Sequence, residues 1–75
     1  MSVNNMYVAL FYSTSHAIRA EKIAKTAGLE VKLIPTPRHL SSDCGTALRF
    51  NARDKDAIIS AFERANLDYD RIAPL

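Results

Sequence analysis

The chain holds one cysteine, two glycines and three prolines in 75 residues, and no long apolar run. A single cysteine excludes an internal disulfide, and it excludes a redox pair or metal cage built from cysteines within one copy. No apolar stretch approaches the roughly 18 residues of a membrane span. Met1 to Asn5 lack the basic segment that opens a secretory signal. Together with an unpaired Cys44, this leads us to expect a cytoplasmic protein with no membrane partner. A net charge of +2 is too small for a general nucleic-acid binder. Neither histidine falls in a pattern with metal-ligand spacing, so no metal and no other cofactor is expected.

What is present suffices for a fold. Leu, Ile, Val and Phe make up about a quarter of the chain, above the level of a disordered polypeptide. The length sets one domain, residues 1–75, as the ceiling, and a chain this short buries only about 60% of the surface it exposes when unfolded. Charge is unevenly spread, and the segment from Arg38 to Arg53, which contains the cysteine, is locally basic.

From Met6 to Tyr12 every residue is apolar, which marks a strand covered on both faces. Ser13, Thr14 and Ser15 can each cap a helix. The helix that follows, His16 to Ala27, has a buried stripe of Ala20, Ile23, Ala24 and Ala27, and Gly28 suits its left-handed stop. Leu29 to Ile34 forms a second strand, with Val31 and Leu33 on one face and Lys32 and Ile34 on the other. Pro35 and Pro37 end its pairing, since neither has a backbone N–H to donate. Thr36 to Gly45 is a polar loop longer than a usual hairpin connection, and such loops carry function. A third strand runs from Thr46 to Asn51, with Leu48 and Phe50 inward. A second helix begins near Asp54, with Ile58, Ala61, Phe62 and Ala65 buried and Asn66 at its end, and Tyr69 to Ile72 supplies a short fourth strand.

The order β-α-β-β-α-β in so short a chain predicts an α+β fold, a ferredoxin-like two-layer sandwich with both helices on one face of a mainly antiparallel sheet. On the other face the first strand would present either Tyr7, Ala9 and Phe11 or Val8, Leu10 and Tyr12. A wet apolar patch of that kind predicts self-association through that face or an adjoining edge, a homodimer.

Chemistry centres on Cys44, the one strong nucleophile. Arg38, His39 and Arg49 are cations that favour its thiolate, while the adjacent Asp43 opposes them. Gly45, lacking a Cβ, leaves room for a partner beside the sulfur. The Pro35-Thr36-Pro37-Arg38 turn stiffens the entrance to the loop. A plainer reading stays open, in which Cys44 is a small buried residue at the start of the third strand. His39 is a candidate to pair with the thiol, and His16 is either an anion ligand at a helix start or a packing and capping residue.

The run Leu33-Ile34-Pro35-Thr36-Pro37-Arg38, then Ser41-Ser42-Asp43-Cys44-Gly45 and Ala47-Leu48-Arg49-Phe50, resembles the small bacterial selenium/sulfur carrier-like domains. The Ala20-Glu21 pair fits the same pattern, and the likeness spans most of the chain. It implies that Cys44 carries a chalcogen atom as a persulfide between a donor and an acceptor protein. It also implies that Gly45 is the companion of Cys44 and that Pro35, Pro37 and Arg38 frame the turn. Many members have glycine where this chain has Asp43. Without a resolving cysteine the chain cannot carry out an intramolecular dithiol exchange, which argues for a carrier or accessory protein over a stand-alone enzyme. The alternative is a module binding a small anionic ligand or a protein through Arg38, Arg49 and the loop, with no transfer chemistry. RNA recognition ranks last, because the basic-Gly-aromatic signature is missing.

Overall fold

The computed structural model describes residues 6–40 and 45–75. The elements run β1 (Met6–Leu10), α1 (Thr14–Thr26), β2 (Val31–Pro35), β3 (Thr46–Asn51), a 3-10 turn (Ala52–Asp54), α2 (Lys55–Arg64) and β4 (Arg71–Pro74). All strand pairs are antiparallel, in the order β2-β3-β1-β4. That order interleaves two βαβ units, as a ferredoxin-like sandwich requires.

Local chemistry sets the ends of the helices. Ser13 is the N-cap of α1, and its Oγ accepts from the His16 backbone N–H at 3.4 Å and contacts His16 Nδ1 at 2.7 Å. His16 therefore serves the cap. At the other end Gly28 takes φ 81°, the Gly28 N–H donates to the Lys25 carbonyl and the Leu29 N–H to the Ala24 carbonyl, both at 3.0 Å. This is a Schellman motif, which satisfies carbonyls that the helix leaves unpaired. Helix α2 ends the same way around Asn66 at φ 54°, with Leu67 donating to Phe62 at 2.9 Å and Asn66 to Glu63 at 3.1 Å.

Both helices cover one sheet face. Ala9, Phe11, Leu48 and Phe50 meet Ala17, Ala20 and Ala24 of α1 and Ile58 and Phe62 of α2, with Leu67 closing the cluster. Small residues on α1 let that helix approach, and aromatics fill the remaining volume: Phe62 packs edge-on to Phe11 at 5.9 Å and tilted against Tyr69 at 5.5 Å. The stripe of α1 is shifted from the expected one, because Ala17 is buried while Ala27 is the exposed C-cap.

The strands also differ at their ends. Pairing of β1 stops at Leu10, although Phe11 still enters the core; Tyr12 is 56% exposed. Tyr69 packs on Phe62 and lies ahead of β4, which runs from Arg71 to Pro74 where the sequence predicts Tyr69 to Ile72. Pro35 and Pro74 both fall inside assigned strands, which is tolerated because β2 and β4 are edge strands.

The expected wet patch on the first strand is corrected. Tyr7, Ala9 and Phe11 face the helices. Val8 and Leu10 face the other way, yet they and Ala47 are fully buried, with Ile34 and Leu40 packed against them. Leu40 comes from the β2–β3 connection, which is long enough to turn back over the sheet.

Candidate functional site

The β2–β3 hairpin positions the loop that holds the cysteine. Pro35 pairs with Thr46, and one step further the Thr36 N–H donates to the Gly45 carbonyl at 3.0 Å, pinning the neck of the loop. Pro37 then opens a tight turn in which its carbonyl accepts from the Leu40 N–H at 3.0 Å. Arg38 and His39 occupy the two central positions of that turn, and both are exposed. Leu40 drops back onto Val8, Leu10 and Ala47. The turn is thus held from two sides, by a pinned neck and by a partly buried anchor, with Arg38 and His39 outward.

Cys44 and its neighbours Ser41, Ser42 and Asp43 lie outside the described residues. Gly45, the next residue, is exposed, and open space surrounds the position a Cβ would take. The site residues expected from the sequence therefore divide. Pro35, Pro37, Arg38, His39 and Gly45 gather at one end of the sheet.

Arg49 is placed elsewhere. It lies four residues beyond Gly45, about 13 Å along the strand at the usual rise. Its cross-strand partners are Lys32 on β2 and Val8 on β1. It lines a cavity of about 320 Å3 together with Met6, Glu30, Val31, Lys32 and Asn51. The sequence marks Lys32 only as a strand residue on the face opposite Val31 and Leu33. Hairpin register is the signal that identifies it: once Thr36 faces Gly45, counting back along β2 brings Lys32 opposite Arg49.

The family model described as "Putative Se/S carrier protein-like" matches residues 6–74, nearly the whole chain. The chain belongs to this Se/S carrier-like family. Neither the curated proteins nor the solved structures give a significant match. In this carrier-like domain the match runs from β1 to β4 and includes the whole 36–45 connection. No helix among the described residues is long and apolar enough to cross a membrane.

Proposed function

We propose that the protein is a sulfur or selenium carrier that holds the atom as a persulfide on Cys44 and relays it from a donor protein to an acceptor protein in the cytoplasm. The observation that carries this reading is the family match over residues 6–74, which takes in the only cysteine of the chain.

The chemistry needs one thiol. Cys44 thiolate attacks the outer sulfur of a donor persulfide, the donor's S–S bond breaks, and the donor leaves as a thiolate. A Cys44–S–SH group remains, the electron count is unchanged, and the sulfane atom has moved. Delivery repeats the step in reverse, with an acceptor nucleophile attacking the outer atom and Cys44 leaving as thiolate. Selenium follows the same path as Cys44–S–SeH. Persulfidation is a reversible cap on a thiolate, so no resolving cysteine is required. Arg38 and His39 stand exposed on the same loop, and the positive charge of Arg38 favours thiolate over thiol. Gly45, next in sequence to Cys44, is exposed with open space where a Cβ would stand.

Incubation with a cysteine desulfurase and L-cysteine, read by intact mass spectrometry, tests the proposal. Wild type should gain one sulfur atom, removable by a reductant, and Cys44→Ser should gain none. Equal labelling of the two proteins, or no labelling of wild type, overturns it.

A further inference from the structure

We infer that the cavity between Lys32 and Arg49 binds a small oxyanion, a site separate from the cysteine loop and independent of persulfide chemistry. It lies on the sheet face without helices, at the opposite end of the β2–β3 hairpin from residues 36–45.

Three observations converge on it. First, Lys32 and Arg49 sit directly opposite each other in the antiparallel register, both on the face away from the helices. Like charges in that position destabilise a sheet, so a local rule is broken there. Second, no described residue neutralises them. The ion pair between Lys25 and Glu21 lies elsewhere, and Glu30, which lines the same cavity, forms no ion pair with either cation. Third, the Arg49 Nε is buried and has no hydrogen-bond partner. A buried N–H without an acceptor is rare in folded proteins and calls for an explanation.

An anion seated between the two cations answers all three at once. It accepts from the guanidinium, separates the like charges and uses the ammonium of Lys32. A guanidinium presents paired donors whose spacing matches the two oxygens of a carboxylate or phosphate. Asn51 adds an amide beside them, and Met6 gives the cavity an apolar wall, while Val31 turns its side chain to the helix-side core. At about 320 Å3 the space exceeds what a bare ion fills, which suits an acid group carried on a small organic body.

The test is a two-dimensional amide NMR titration, including the arginine Nε–H signals, at constant ionic strength. Inorganic phosphate and malonate serve as separate probes, distinguishing tetrahedral from planar acid groups, with chloride as the reference. At least one probe should give saturable shifts at Lys32, Arg49 and Asn51, unchanged in Cys44→Ser. Arg49→Gln and Lys32→Gln should each weaken binding roughly tenfold or more, the loss of one charge-assisted hydrogen bond. Lys32 is exposed, so its variant keeps the test decisive if Arg49→Gln fails to fold. No saturable shift with either probe, or equal binding by wild type and both variants, overturns the proposal. Failure here leaves persulfide loading of Cys44 untouched, and the reverse also holds.

Discussion

Gly28 and Asn66 do the same job at two helix ends with different residues. Both hold positive φ, at 81° and 54°, and both sit in hydrogen-bond patterns that satisfy the last carbonyls. Asparagine tolerates this conformation better than other residues with a Cβ, and glycine tolerates it without strain. No heavy atom lies within 4 Å of the place a Gly28 Cβ would take, so substitution there meets no neighbour. The cost of Gly28→Ala is then the backbone conformation alone, about 1 kcal/mol. In a domain of this size that lowers the melting temperature by roughly 4–8 °C. Calorimetry on the two proteins checks it. An unchanged transition would mean that the helix end relaxes into another conformation at no cost.

At the scale of elements, the sequence pattern was sufficient for six elements in their order but not for what joins the two faces of the sheet. Alternation in Thr46 to Asn51, the apolar run of β1 and the helix stop at Gly28 are local signals, and each marks an element that is present. Leu40 carries no such signal. It is one apolar residue among polar ones, and its partners Val8, Leu10 and Ala47 come from other parts of the chain. Arg49 shows the same limit from the other side: proximity in sequence suggested the cysteine loop, and the register put it against Lys32. Leu40 should therefore matter more than a loop residue usually does. Leu40→Ala removes most of a partly buried side chain, and we expect it to lower stability by about 1–2 kcal/mol, below the 2–5 of a fully buried leucine. Urea unfolding monitored by far-UV circular dichroism provides the measurement. A midpoint equal to wild type would show that Leu40 is not what shields that face.

For the molecule as a whole, the covered second face changes what should be expected of association. The sequence predicts self-association through the helix-free face or an adjoining edge, because a strand that is apolar throughout has to hide two faces and only one has helices over it. In the single chain both are hidden: Val8, Leu10 and Ala47 are as fully buried as Ala9, Leu48 and Phe50. The large apolar side chains left exposed among the described residues are Tyr12, Ile18 and Leu75, at 56%, 51% and 49%. They belong to three different places, the end of β1, helix α1 and the C-terminus, and scattered apolar residues of this kind are normal on a monomer. The opposed cations Lys32 and Arg49 add a further obstacle, because two copies meeting through this face would bring like charges together. Light scattering coupled to size exclusion should accordingly give the mass of one chain at micromolar concentration. The mass should rise when Leu40→Asp opens the apolar cluster. A dimer of wild type under those conditions would mean that a second copy binds through a surface other than the one buried here.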